Sequence, residues 1–188
     1  QYARQSPSFW QQNKAIIPIY RNILNKVALM SSIALLPGTF DPITLGHVDL
    51  VKRALNLFDE VVIGVSTADG KSPLLNLDKR MDLVKSVFKD NPKISVTPLS
   101  GLLVDFIQEN NIKILLRGLR NPVDTSYELE MLDMNRALSD SKNYSYETVF
   151  LFPSDKLRYI SSSRVREIFK LGGDISSFVP PEVLLSLR

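Results

Sequence analysis

From Ser32 onward, short apolar runs alternate with longer stretches in which apolar residues recur every three or four positions. The runs at 33–36, 60–66, 94–98, 112–116 and 147–152 are mostly bounded by turn residues, the pattern of strands buried on both faces of a parallel sheet. Helices are predicted between them. Residues 47–58 carry Val48, Val51, Leu55 and Phe58, and residues 124–138 carry Tyr127, Met131, Met134 and Leu138. Residues 77–88 carry Leu77, Val84, Val87 and Phe88 behind a candidate cap at Asn76. A helix from near Ser163 ends at Gly172-Gly173, and Pro180-Pro181 opens a last short one. A repeated β-α unit of this kind predicts an α/β fold, a Rossmann-like doubly wound five-stranded parallel sheet with helices on both faces.

The first thirty residues break this pattern. They are polar, basic and aromatic, and the first acidic residue of the chain is Asp41. Residues 1–31 are therefore expected to be an N-terminal extension outside the catalytic domain, with residues 32–188 forming that domain. The extension reads as an upstream stretch ahead of a start at Met30, as an arm that docks on the domain, or as an acid-poor targeting peptide.

Composition narrows the chemistry. Twenty-three basic against 20 acidic residues leave a net charge of only +3, too slight to imply a nucleic-acid partner, although an isoelectric point near 9.1 suits a protein that handles anions. No cysteine is present and His47 is the only histidine, so disulfides, thiolate metal sites and a histidine-built zinc site are excluded. No protein-built metal site is expected. No apolar run approaches the roughly 20 residues of a membrane span, and the expected location is cytoplasmic.

In an open parallel sheet ligands bind beyond the carboxyl ends of the strands, and the unusual residues of this chain fall there. Strand one runs into Pro37-Gly38-Thr39-Phe40-Asp41-Pro42 and Thr44-Leu45-Gly46-His47, and strand two into Asp69-Gly70-Lys71-Ser72-Pro73. Strand three leads to Ser100-Gly101-Leu102-Leu103, strand four to Arg117-Gly118-Leu119-Arg120, and strand five to Pro153 and then Ile160-Ser161-Ser162-Ser163. Glycines, hydroxyls and cations thus converge on one rim, which argues for an anion site independently of any motif. Gly38 lets backbone approach a ligand, and the helix opening near Gly46 aims its partly positive end at a phosphate. His47, in its first turn, can donate to a phosphoryl oxygen; the plainer alternative is a histidine that caps or packs. Lys71 can equally be a solvated lysine, and Arg117 and Arg120 can pair with Asp124 or Glu128 on the surface. Glu128 is either a helix-surface carboxylate or a partner for a ribose hydroxyl, and Ser161 to Ser163 can cap a helix while its amides still face a phosphate. Leu102 and Leu103 read as core on composition alone. No P-loop, dinucleotide-binding turn or nucleophile elbow is present.

Gly38 to His47 together with Ile160-Ser161-Ser162-Ser163 resembles the nucleotidyltransferase superfamily with its (H/T)xGH and ISS signatures. Asp69 to Pro73, Arg117 to Arg120, Tyr127-Glu128 and Met134-Asn135-Arg136 narrow the likeness to bacterial phosphopantetheine adenylyltransferases, from about Ile33 to the C-terminus. The resemblance implies transfer of the adenylyl group of ATP to 4′-phosphopantetheine, giving dephospho-coenzyme A and pyrophosphate. Thr39, Lys71, Leu103 and Arg117 would hold the acceptor. Thr39, Phe40, His47, Gly118, Leu119, Arg120, Glu128, Leu157, Arg158, Tyr159, Ile160, Ser161, Ser162 and Ser163 would hold ATP, with His47, Lys71 and Arg120 acting on the transferring group. It further implies Mg2+ bound mainly through the ATP phosphates, a homohexamer and coenzyme A as a feedback ligand. Thr125-Ser126, in place of an aromatic-acidic pair, and a longer segment at 139–146 depart from the family pattern. The competing functions are adenylyl transfer to nicotinate or nicotinamide mononucleotide, and a nucleotide sensor without turnover.

Overall fold

The computed structural model describes residues 32–67, 73–120 and 122–187. The extension expected at 1–31, and Lys71 with its neighbours Asp69, Gly70 and Ser72, lie outside them. Five strands, β1 (Ile33–Gly38), β2 (Glu60–Ser66), β3 (Ile94–Leu99), β4 (Ile114–Gly118) and β5 (Glu147–Leu151), form a parallel sheet in the order β3-β2-β1-β4-β5. Six helices connect or follow them: α1 (Leu45–Ala54), α2 (Leu77–Val87), α3 (Leu103–Glu109), α4 (Pro122–Ser141), α5 (Ser162–Lys170) and α6 (Pro181–Leu187). This is the doubly wound, Rossmann-like sheet that the alternating pattern predicts.

Strand alternation decides which helix covers which face, because successive side chains point to opposite sides of the sheet. Ala34 and Leu36 of β1, Val61, Ile63 and Val65 of β2, and Leu116 of β4 share the larger core with Leu50 and Val51 of α1, Val84 of α2, Val165 of α5 and Val183 of α6. Leu35 and Leu115 point the other way and pack with Ile107 of α3, Leu99, Ile112 and Tyr146. Helix α4 then lies against α3, and Lys142 just beyond it pairs with Asp105 of α3 at 2.8 Å.

Two elements depart from their predicted bounds for a physical reason, and a third was not predicted. The pattern of residues 47–58 continues past α1 because Leu55 and Phe58 still pack on the core, yet the backbone tightens after Ala54 into i→i−3 bonds from Asn56 to Arg53 and from Leu57 to Ala54. Strand β4 lies two residues later than its apolar run, since Ile112 is buried outside the ladder whereas Arg117 and Gly118 pair with Phe150 and Leu151. Helix α3 escapes the pattern. It has seven residues, and no side chain caps it. No described helix is long and apolar enough to cross a membrane.

Leu116 is fully buried in the larger core, so Leu116→Ala removes packed apolar volume and leaves a cavity. A loss of about 2–5 kcal/mol is expected from urea unfolding. A midpoint equal to that of the wild type would contradict this placement of β4.

Candidate active site

Because β1 sits between β2 and β4, the connections leaving the carboxyl ends of β1 and β4 part there, and a crevice opens where the strand order reverses. A cavity of about 660 Å³ occupies it. Its wall includes Gly38 to Asp41 beyond β1, Arg117, Gly118 and Arg120 at the end of β4, Tyr127, Glu128 and Met131 of α4, and Ile160 to Ser163 at the start of α5. Thr39, Phe40, His47, Leu103, Arg117, Gly118, Arg120, Glu128 and Ile160 to Ser163 are thus brought together.

His47 is the third residue of α1 and closes a capping box with Thr44. The Thr44 amide donates to Nδ1 at 3.0 Å, and the His47 amide donates to the Thr44 hydroxyl at 3.4 Å. The capping alternative is therefore correct, and it has a chemical consequence. With Nδ1 accepting, the proton of the neutral ring must sit on Nε2, leaving a donor for the cavity. The edge of the ring meets Phe40, with centroids 5.0 Å apart. Burial first, and the Arg120 guanidinium second, push the imidazole from its ordinary 6.5 down to about 4.

The expected helix-end cradle is largely satisfied from within. The Leu45 amide donates to the Phe178 carbonyl at 2.9 Å, and the Thr44 and His47 amides are used in the box. Gly38 also has a different reason from ligand approach: a Cβ there would lie 3.0 Å from Cε2 of the Phe40 ring, which is buried with its backbone at φ 49°.

Both arginines have carboxylate partners in the cavity wall. Arg117 Nε donates to Glu128 at 2.5 Å across a largely buried pair, and Arg120 Nε donates to Asp124 at 2.9 Å one helical turn away in sequence. The surface pairing considered for them is thus present, but at the cavity rather than on open surface. At α5, the Ser161 hydroxyl accepts from the Arg164 amide as N-cap, the Ser162 hydroxyl donates to the Pro42 carbonyl at 2.8 Å, and Ser163 accepts from Arg166. Asp49 of α1 holds the chain leading there by accepting from the amide and hydroxyl of Ser154 at 2.8 and 2.7 Å.

Other candidates are placed elsewhere. Leu119 is buried away from the cavity and its amide donates to the Leu151 carbonyl, while Leu157 packs on the core. Arg158 and Tyr159 line an adjoining cavity of about 590 Å³ with Arg120, Ser161, Ser163 and Arg164. Leu103 lines the main cavity and touches the smaller core, whereas Leu102 is exposed, contrary to its reading as core. Thr125, Ser126 and residues 139–146 do not line the main cavity.

Three charged residues at the site had been given no role. Asp41, almost wholly buried, accepts from the amides of Leu74 and Leu75 at 2.7 and 2.9 Å. Arg166 donates to the Asp41 carbonyl at 2.6 Å, with its Nη1 3.6 Å from the Asp41 carboxylate. Arg80 is buried on α2 beside them. Its signal was available: it stands three residues after Leu77 and four before Val84, on the apolar stripe of its helix.

The family model for cytidylyltransferase-like proteins matches residues 35–168, which places the chain among the nucleotidyltransferases. A phosphopantetheine adenylyltransferase of Azoarcus sp. (strain BH72) is 46% identical over 160 residues, covering 85% of this chain and 96% of the relative. Another from Hahella chejuensis (strain KCTC 2396) is 48% identical over 152 residues, covering 81% and 92%. The chain belongs to the phosphopantetheine adenylyltransferase family. A crystal structure provisionally named a nicotinate-nucleotide adenylyltransferase from Vibrio parahaemolyticus shares the fold, with a TM-score of 0.58 at 22% identity over 85% of this chain and 100% of that one.

A folded-state value near 4 lies below the ordinary 6.5, so the neutral ring's contribution to stability is complete above pH 6.5 and is lost as pH falls from there towards 4. Ring-nitrogen NMR is expected to show His47 neutral, with its proton on Nε2, throughout pH 5–8. A midpoint near 6.5 would overturn this electrostatic account.

Proposed function

We propose that the enzyme transfers the adenylyl group of ATP to 4′-phosphopantetheine, forming dephospho-coenzyme A and pyrophosphate, at the crevice beyond β1 and β4. Family membership supports the reaction. The observation that carries the assignment of the site is the Nε2 donor of a neutral His47 in the same cavity as Arg117 and Arg120. An oxygen of the acceptor phosphate attacks the α-phosphorus, the bond from that phosphorus to the bridging oxygen of the β-phosphate breaks, and pyrophosphate leaves with the electron pair. The attacking oxygen is already an anion and needs no base, so catalysis is positioning plus electrostatics.

Within this proposal His47, Arg120 and Lys71 act on the transferring group; Thr39, Leu103 and Arg117 hold the acceptor with Lys71. Thr39, Phe40, Gly118, Leu119, Glu128 and residues 157–163 serve ATP, Leu119 and Leu157 through backbone placement. The cavity carboxylates are already engaged, Asp41 by amides and Arg166, and Glu128 by Arg117. That arrangement fits Mg2+ held mainly through ATP phosphates, where its charge would offset theirs. Coenzyme A as a feedback ligand and a cytoplasmic location complete the proposal.

Pyrophosphate release with ATP, Mg2+ and 4′-phosphopantetheine tests the reaction, and His47→Ala should lower turnover by roughly 10² or more, the loss typical of one preorganised donor. Near-normal turnover in that variant would remove His47 from its role. Faster release with nicotinate mononucleotide would reassign the acceptor.

Helix α4 leaves Met134 and Leu138 exposed, at 62% and 38%, on the face that also carries the cavity residue Tyr127, an apolar stripe that suits contact between copies of the chain. Together with the family resemblance, it supports a homohexamer. Sedimentation is expected to give six times the chain mass, and a monomer at micromolar concentration would refute it.

A further inference from the structure

Asp49 lines neither cavity, yet its carboxylate joins two residues 105 positions apart. Oδ2 accepts from the Ser154 amide at 2.8 Å and Oδ1 from the Ser154 hydroxyl at 2.7 Å. Lys52 and Arg53 stand one helical turn further along α1, the usual partners of a carboxylate on a helix surface. Among the described residues neither forms an ion pair with it, and both of its oxygens are committed to Ser154.

Ser154 opens the segment that runs into α5. The Leu157 amide donates to the Ser154 carbonyl at 2.8 Å and the Ile160 amide to the Leu157 carbonyl at 3.1 Å, so a series of tight turns starts from the residue that Asp49 holds. The segment lies against the first turn of α1: a Cβ on Gly46 would be 3.5 and 3.6 Å from the carbonyl oxygens of Leu157 and Ile160. Pro153 and Ile160 to Ser163 line the main cavity, and Arg158 and Tyr159 line the adjoining one. The helix that carries His47 therefore also grips the start of a wall of the same cavity.

The two ends of this segment are held by different means. At the far end the Ser162 hydroxyl bonds the Pro42 carbonyl, and Arg166 bonds the Asp41 carbonyl and Ser163. The first loop has ties of its own, from Arg80 to the Thr39 carbonyl and from the Leu74 and Leu75 amides to Asp41, and His47 is fixed through Thr44. At the near end Leu157 packs on the core and the Tyr159 ring meets Phe178 edge-on, contacts that hold the segment down without setting its register. Two charge-assisted bonds to one residue do set it.

We propose that Asp49 is a positioning residue for the nucleotide: it docks residues 154–160 on α1, so that this wall meets ATP already ordered. This rests on the adenylyl transfer, and on the ATP contacts at 157–163, assigned above.

Asp49→Ala removes both acceptors without touching a cavity residue. A segment docked only a tenth of the time binds about tenfold more weakly, and the Kd for ATP alone should rise by about that factor. The kcat at saturating ATP, and the KM for 4′-phosphopantetheine measured there, should stay within about threefold, because bound nucleotide restores the docked state. Amide hydrogen exchange at Leu157 and Ile160 should quicken roughly tenfold in the free variant and slow again with ATP, while α1 keeps its protection. Asp49→Asn keeps an acceptor for the Ser154 amide and should recover most of the affinity. Adding Ser154→Ala to Asp49→Ala should cost little more than Asp49→Ala alone, since the two residues act as one unit. A fall in kcat at unchanged Kd, equal losses for the two substrates, additive losses in the double variant, or unchanged exchange at Leu157 and Ile160 would each overturn the proposal. Should Asp49→Ala fail to fold, Ser154→Ala, which removes one of the two bonds from the other side, decides by the same measurements, with a smaller rise in Kd expected. If the Kd and exchange shifts appear but wild-type enzyme releases no pyrophosphate with this acceptor, the docking role stands and the assigned reaction falls.

Discussion

Strand β1 is hydrogen-bonded to β2 on one side and to β4 on the other, and the chain winds away from it in both directions. The connections that leave β1 and β4 at their carboxyl ends cannot close over the same space, so a crevice remains between them. Every later feature of the site is an answer to what fills that gap. Phe40 folds its ring back over Gly38, α1 starts at Leu45 with His47 in its first turn, and α5 brings Ser161 to Ser163 from the far end of the chain. The Ser162 hydroxyl on the Pro42 carbonyl and the Asp49 carboxylate on Ser154 join these pieces across more than a hundred residues of sequence.

The charged groups in and around the crevice lie at unequal depth. Arg120 with Asp124 keeps the larger share of its surface in water, and Arg117 with Glu128 lies deeper, but both pairs sit in or beside the cavity wall. The bidentate geometry of Arg on phosphate favours exchange of a carboxylate for a phosphate there. Arg80 and Asp41 are different, since both are shielded and their bonds run to backbone groups. Removing one partner there would leave a buried charge or amide without compensation. The shallower arginine pairs are therefore suited to meeting ligand, and the buried Arg80 and Asp41, each bonded to backbone, to holding the walls still.

The fold and much of the site were legible because they follow from local rules. Buried parallel strands are continuous apolar runs, so all five were located, and Asn76 does cap α2 through the Lys79 amide. The errors occur where burial and hydrogen bonding part company, as at Leu55 and Phe58, which face the core after α1 has ended, or at Ile112, which is buried before β4 begins. Convergence of Thr39, His47, Arg117, Arg120 and the α5 turn on one rim followed from topology alone. Arg80 did not emerge, because a cation on an apolar stripe is read as an interruption of the stripe until its three carbonyl partners, from Thr39 to Leu75, are seen.

His47 shows why a structural role and a chemical one need not compete. The Thr44 amide occupies Nδ1, which both closes the first turn of α1 and fixes the proton on Nε2. A ring kept neutral down to about pH 4 does not add a full positive charge to a site that already gathers arginines. An imidazolium would attract a bound triphosphate strongly before any bond changes, and binding that is equal in the ground and transition states does not raise turnover. A neutral donor attracts the resting phosphate less, and its hydrogen bond strengthens as charge moves onto the oxygens during transfer. Burial that depresses the imidazole pKa thus acts in the same direction as the proposed catalysis, and the capping box is what permits a buried neutral ring to present its only proton to the cavity.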